Sequence, residues 1–279
     1  MKACSLLSLF LSLLFLQVSS LFANCTNKMH HLWATLHEVG WDDVSFHGSS
    51  QIPTPNIDVL AADGITLHNY YVQPMCTPSR AALMTGLYPI RTGMQHWVIR
   101  SPEPWGLPLE IKLMPEHLKD LGYSTHLVGK WHLGYFKKEY TPTYRGFDTF
   151  YGYYNGYIDY YSHVNEYVSM VDALDVSVGR VVEALSRAGM LENSIVAFSS
   201  DNGAVPFGFR SNRGFNWPLR GIKASVWEGG VRVPGFVWSP LLRKSARLST
   251  QMMHITDWLP TLYAAAGQWF GRRLERVAR

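Results

Sequence analysis

Cysteine is scarce in this chain. Its 279 residues hold three, Cys4, Cys25 and Cys76, too few for a fold built on disulfides. Charge is sparse as well, at 16% of residues with a formal net charge of +4 and both signs interspersed. There is no basic stripe, zinc-finger spacing or RNP-like pattern, which sets nucleic acid aside as a partner. Long apolar runs are missing beyond residue 22, so no later segment is expected to span a membrane. Internal repeats and low-complexity linkers are absent too. What the chain does have is 47% apolar residues, enough to bury one sizeable core.

The first residues, MKACSLLSLFLSLLFLQVSSLFA, set Lys2 before an apolar run and then small residues, with Val18 and Ser20 spaced for cleavage after Ser20. Residues 1–20 are therefore expected to be a secretory signal peptide. The alternative, an uncleaved anchor, fits less well, because serines interrupt a run that is already short for a span. Asn24-Cys25-Thr26 follows as an N-glycosylation acceptor at Asn24, consistent with secretory entry. Cys4 leaves with such a leader, and Cys25 and Cys76 could then pair only with each other.

Further on, short apolar runs alternate with helical spacing. TLHNYYV (66–72), STHLVGK (124–130), SIVAFSS (194–200) and GFVWS (235–239) read as strands. Helices are expected over 55–62, 78–85, 113–121, 169–188 and 255–266, several opened by proline or closed by glycine. This alternation predicts an α/β fold, a sheet flanked by helices. The tyrosine- and glycine-rich patch FDTFYGYYNGYIDYYSH (147–163) follows neither period and reads as irregular surface structure or a binding wall.

MCTPSRAALMTG (75–86) is the stretch with chemical promise. Thr77 suits an N-cap, Pro78 the first helical position and Gly86 the stop, so Cys76 is expected just before a helix N-terminus. Free N–H groups and the helix dipole favour an anion there and acidify a thiol. Arg80 could direct its planar fork at the same anion. Taken alone, Cys76 is open to three readings: a small packed residue, half of a disulfide, or a reactive group.

Other blocks bear on that choice. Cys-x-Pro-x-Arg at 76–80, GKWHLG (129–134), DNG (201–203) and NWPLRGIKASVWEGGVRVPGFVWSP (216–240) together resemble the type I sulfatase family, within the alkaline-phosphatase-like superfamily. NYYVQPMCTPSR, RTGMQH, RGFDTFYGYYNGYIDYYSH and HITDWLPTL are most similar to the arylsulfatase B group. The resemblance runs from about Gly40 to Gly267. It implies a central, largely parallel sheet between helices, and a catalytic domain over 21–267 followed by a short basic tail, 268–279.

It further implies hydrolysis of sulfate esters, on sulfated glycans such as glycosaminoglycans, in a lysosomal or extracellular setting. Cys76 would be oxidised to formylglycine by a formylglycine-generating enzyme, and one calcium ion would sit beside it. Carried over residue by residue, Arg80 supports the nucleophile derived from Cys76. Lys130 and His132 match a catalytic, sulfate-binding pair, and their spacing of two is expected to put both on one face of an extended segment. Lys223 matches a sulfate-binding lysine. Asp201 and Asn202, after an apolar strand, match calcium ligands alongside Cys76 itself.

Three departures stand out. Where the family has two adjacent aspartates before Gly-Trp, this chain has His37 and Glu38, which would weaken or re-tune the metal site. No second histidine follows at the spacing of a zinc-binding His-Glu-x-x-His, so zinc is set aside. The strand before it, MHHLWAT, carries His30 and His31 where a buried parallel strand should be apolar. Between about 163 and 166 the family has several tens of further residues, including a strand ending in a catalytic histidine; His163 is not given that role. Losing the strand is expected to leave unpaired backbone. The family's smaller C-terminal domain is also largely missing. A catalytically impaired protein that still binds sulfated glycans is therefore the alternative reading, and a chain without a stable fold the third.

Overall fold

The computed structural model describes residues 4–9, 30–36, 38–101, 103–156, 167–207 and 212–268. Its centre is one eight-stranded sheet in the order β5-β4-β1-β2-β6-β7-β3-β8. In chain order these are β1 (Cys4–Leu9), β2 (His30–Leu36), β3 (Ile65–Tyr71), β4 (Tyr123–Lys130), β5 (Thr149–Tyr153), β6 (Ser194–Ser200), β7 (Gly235–Trp238) and β8 (Arg247–His254). All run parallel except β7, which is antiparallel to both β6 and β3. The α/β class and the largely parallel sheet are as expected.

Seven α-helices accompany the sheet among the described residues: α1 (Pro55–Asp63), α2 (Cys76–Thr85), α3 (Pro89–Thr92), α4 (Met114–Asp120), α5 (Tyr167–Arg187), α6 (Glu228–Val231) and α7 (Trp258–Ala265). Two buried clusters form the core. One joins Leu83, Leu118, Trp258 and Leu262 of α2, α4 and α7 to Leu67 and Leu127 of the sheet. The other joins Ile57 and Leu60 of α1 and the α5 stripe Leu174, Val178, Val181 and Leu185 to Leu32, Val196 and Phe198. That stripe steps by three and four residues, so a single helical face is buried. Each such side chain stabilises by about 1.5–3 kcal/mol.

α5 also caps its neighbour. Asp175 is buried; its Oδ1 accepts from Ile57 N at 2.8 Å and its Oδ2 from Asn56 N at 3.2 Å. These are orphan donors of the first turn of α1, supplied with a carboxylate from another helix.

Several expectations need correction. α2 begins at Cys76, with Met75 as N-cap, two residues before Pro78. Thr77 is not the cap: its hydroxyl donates to His132 O at 3.0 Å and accepts from Ile99 N at 3.2 Å. Part of the tyrosine-rich patch is regular, since Thr149–Tyr153 forms the edge strand β5. The segment expected as a helix from 255 opens as a 3-10 turn, Ile255–Asp257, before α7.

The largest difference concerns the N-terminus. Cys4–Leu9, within the expected leader, forms a central strand: Leu6 to Leu9 register with His31 to Ala34 of β2, and Cys4 to Leu9 with Tyr123 to Val128 of β4. An uncharged, proline-free apolar run meets the demands of a strand paired on both edges. The rest of the expected leader, Asn24, residues 157–166 with His163, and residues 269–279 lie outside the described residues.

Candidate active site at the carboxyl ends of β2, β4 and β6

Three strand ends and one helix start converge here, the place where open α/β sheets build sites. β6 delivers Asp201 and Asn202, both fully buried. β4 ends at Lys130. Glu38 follows β2 with φ +61°, in the left-handed region, and this turn points its backbone N–H to Asp201 Oδ1 at 3.2 Å. α2 brings Cys76 and, one turn on, Arg80.

Arg80 ties these elements together. Its Nε donates to Asp201 Oδ2 at 2.9 Å, its second terminal nitrogen lies 2.8 Å from the same oxygen, and Nη1 donates to Lys130 O at 2.8 Å. The pair is buried on both sides, so removing either partner would strand a charge in the core. The guanidinium fork is spent on protein groups rather than aimed at an open pocket.

Lys223 closes the opposite side. Its ammonium pairs with the Glu38 carboxylate and lies 3.4 Å from Cys76 Sγ. Burial pushes this ammonium down to about 7. Cys76 is a buried thiol, in no disulfide among the described residues. It occupies the first position of α2, where helical N–H groups and the lysine both favour a negative species.

Lys130 and His132 are both buried beside this centre, but not as an extended pair. The strand stops at Lys130, and His132 adopts φ +61°, which breaks the alternation expected from a spacing of two. His132 Nε2 donates to Ile99 O at 2.9 Å, since a carbonyl can only accept. Trp131 is turned to packing and donates to Gly134 O and Tyr140 O, each at 3.0 Å.

Sequence reading passed over the residues that hold the site's walls. Asn216 accepts from Ala204 N at 2.9 Å and donates to Gly221 O at 3.2 Å. Asn212 Nδ2 donates to Glu38 O at 2.7 Å, and Ser200 Oγ accepts from Val39 N at 3.0 Å. Asn216 heads the NWPLRG block, which was the available signal. Two glycines are set by close approach: a Cβ on Gly40 would lie 2.1 Å from Phe215 O, and one on Gly203 would lie 1.8 Å from Gly229 O.

A divalent cation can be tested against these donors. Asn202 Oδ1 is buried with no hydrogen-bond partner, an acceptor that a hard cation would satisfy. Asp201 and Glu38 add carboxylate oxygen, so the donor chemistry fits calcium. Among the described residues, however, no three acidic, histidine or cysteine side chains already form a metal cluster, and the Glu38 carboxylate is engaged by Lys223. His37 lies outside the described residues.

The family model described as Sulfatase matches residues 34–166 and 153–268, two pieces that overlap over residues 153–166. Mouse arylsulfatase J is 37% identical over 321 aligned positions, covering 86% of this chain and 53% of that protein. Human N-acetylgalactosamine-6-sulfatase is 27% identical, covering 83% of this chain and 61% of its own length. An alignment of 321 positions exceeds the 279 residues available, so the relative carries residues that this chain does not. The chain spans between half and two thirds of the length of these relatives. The crystal structure of Ps i-CgsB in complex with k-i-k-neocarrahexaose has TM-score 0.76 and 25% identity, covering 86% of this chain and 72% of that one. With the family model matched across most of its length and the fold shared with a solved relative, the chain belongs to the sulfatase family.

Proposed function

We propose that this chain carries a sulfate-ester site, and that its reaction is the hydrolysis of sulfate esters on sulfated glycans. The observation that carries the proposal is the placing of Cys76 at the first position of a buried helix with the Lys223 ammonium 3.4 Å from its sulfur. A sulfate monoester brings one negative charge and several acceptor oxygens, which helix N–H groups and an ammonium recognise together. Lys223 and Lys130 would bind the sulfate oxygens. His132, with Nε2–H fixed on Ile99 O, would hold the adjoining backbone in place. Arg80 orients Asp201, and Asp201, Asn202 and Glu38 would hold a calcium ion. Formylglycine at position 76, made from the cysteine by a formylglycine-generating enzyme, would supply the nucleophilic hydroxyl. Overall, water gives its oxygen to sulfur and a proton to the departing alcohol.

We further place the chain in the secretory pathway, lysosomal or extracellular. The Asn24 acceptor supports this, and no helix among the described residues is long and apolar enough to cross a membrane.

One observation favours the second reading, a sulfated-glycan binder with impaired chemistry. Glu38 sits where a shorter aspartate would stand, and it pairs with Lys223 instead of joining a formed metal cluster. Mass spectrometry of the peptide spanning Cys76, with a chromogenic aryl sulfate assay in calcium and in chelator, separates the two. Formylglycine with calcium-dependent release is expected for the hydrolase. Unmodified cysteine with no release rejects it.

A further inference from the structure

Residues 212–229 clasp the candidate site. Phe215 N donates to Asp43 Oδ1 at 2.7 Å and Phe215 O accepts from Asp42 N at 3.0 Å. Lys223 reaches Cys76, and Ala224 N donates to Pro74 O at 2.8 Å. The inner side of this segment is polar and paired. Its outer side is not: Trp217 is 72% exposed, Val226 84% and Trp227 51%. Large rings are usually removed from water, and several exposed on one short segment mark a contact surface. The Arg220 guanidinium lies 4.0 Å from the centre of the Trp227 ring, so a cation is layered on the aromatic face.

We propose that Trp217, Arg220 and Trp227 form a saccharide subsite beside the candidate site, which takes the sugar units flanking the one whose sulfate lies at Lys223. An indole face is flat and apolar, and it matches the C–H face of a pyranose ring. The Arg220 guanidinium covers one face of Trp227 and keeps its N–H edge for oxyanions, bidentate sulfate contact being what its geometry favours, so Trp217 and the other face of Trp227 are left for the sugar ring. The alternation of ring and cation fits a polyanionic sulfated oligosaccharide better than a plain apolar partner, and the same segment carries Lys223, whose ammonium lies 3.4 Å from Cys76 Sγ. The subsite rests on the proposed sulfate site for its register, but its own recognition is independent of any turnover.

The test is isothermal titration calorimetry of the full chain with a chondroitin sulfate tetrasaccharide, the same tetrasaccharide after desulfation, and inorganic sulfate. Trp217→Ala and Trp227→Ala are each expected to weaken the sulfated tetrasaccharide by about tenfold or more and to leave inorganic sulfate within about twofold, with thermal unfolding unchanged because both rings are exposed. Trp227→Phe should restore most of the loss. Lys223→Met should weaken both ligands. Unchanged tetrasaccharide affinity in the Trp217→Ala/Trp227→Ala double variant overturns the subsite. So does absence of tetrasaccharide binding by the wild type, equal binding of the desulfated sugar, or a change in oligomeric state as the sole effect of the variants. Loss of tetrasaccharide binding in the tryptophan variants, in a chain that binds no inorganic sulfate and cleaves no aryl sulfate, would keep the subsite and reject the hydrolase.

Discussion

Acid should destabilise this protein through His31. The side chain is 1% exposed in β2, one of the two central strands of the sheet, and neither ring nitrogen has a hydrogen-bond partner; its ring lies 5.3 Å from that of Tyr123. Burial, and to a lesser degree the neighbouring His30, push it down to about 4 from 6.5. The folded state therefore holds fewer protons than the unfolded chain between those values. Stability is complete above about pH 6.5 and is lost progressively as pH falls toward 4. With about 1.36 kcal/mol per unit of displacement, the loss is roughly 2 kcal/mol at pH 5 and about 3.4 kcal/mol well below pH 4. At roughly 2–4 °C per kcal/mol for a chain of this size, His31 lowers Tm by about 4–8 °C between pH 7 and pH 5. His47 is held near 4 by burial as well, so wild type will show a steeper slope than one histidine gives. The assay is circular-dichroism melting of wild type and His31→Leu at half-unit steps from pH 7.5 to 4.5. The two Tm curves should diverge by the stated amount as pH falls, with the variant the flatter. Parallel curves would refute the assignment. An acidic compartment is where this cost would be met, which bears directly on a lysosomal setting.

Arg80→Met should cost about 3–5 kcal/mol in denaturant unfolding, because Asp201 would remain buried without its partner; a loss below 1 kcal/mol would show that the pair is not the tie described. Lys223→Met should free Glu38 and tighten binding of terbium, as a luminescent calcium surrogate, by about tenfold. Glu38→Gln in the same background should reverse that gain, and no change in either variant would remove Glu38 from the donor set. Leu7→Pro should cost about 3 kcal/mol or more, since Leu7 lies mid-strand between Leu32 and His126. Hydrogen exchange should then speed up in β2 and β4, whereas unaltered protection there would mean that β1 does not pair with them.

Much of this was legible because it is periodic or local. β6 has the predicted limits, and the α5 stripe repeats every three to four residues. The pairing of Cys76 with Lys223 follows from blocks that are 147 positions apart but each recognisable alone. What could not be read depends on long-range partners. Thr77 has the composition of a cap, but the nearness of His132 O and Ile99 N gives its hydroxyl better employment. β8 reads as a polar segment because it is an edge strand, whose exposed positions tolerate Arg247, Thr250 and Gln251. His30 and His31 look wrong for a central strand, and the depressed titration of His31 is what that misfit costs. β1 escaped notice because leader-like and strand-like apolar runs have the same composition, and only pairing on both sides separates them.

The geometry also divides the site into groups that are committed to one another and groups with capacity to spare. Arg80, Asp201 and Lys130 O bond among themselves in a dry interior, so they set the distance between β4, β6 and α2 and contribute orientation. Asn202 Oδ1 has no donor, the Lys223 ammonium is shared between a carboxylate and a sulfur, and the Trp217 and Trp227 rings face water. Ligand chemistry draws first on this second group, whose members gain interactions at least cost to the fold, while Asp201 can lend carboxylate oxygen to a cation without leaving Arg80. Substitutions in the first group will therefore read as loss of fold whatever the protein does. A change in binding with an intact melting transition can come only from the second, and whether Glu38 releases Lys223 decides how much of that capacity is available to a cation or to a sulfate.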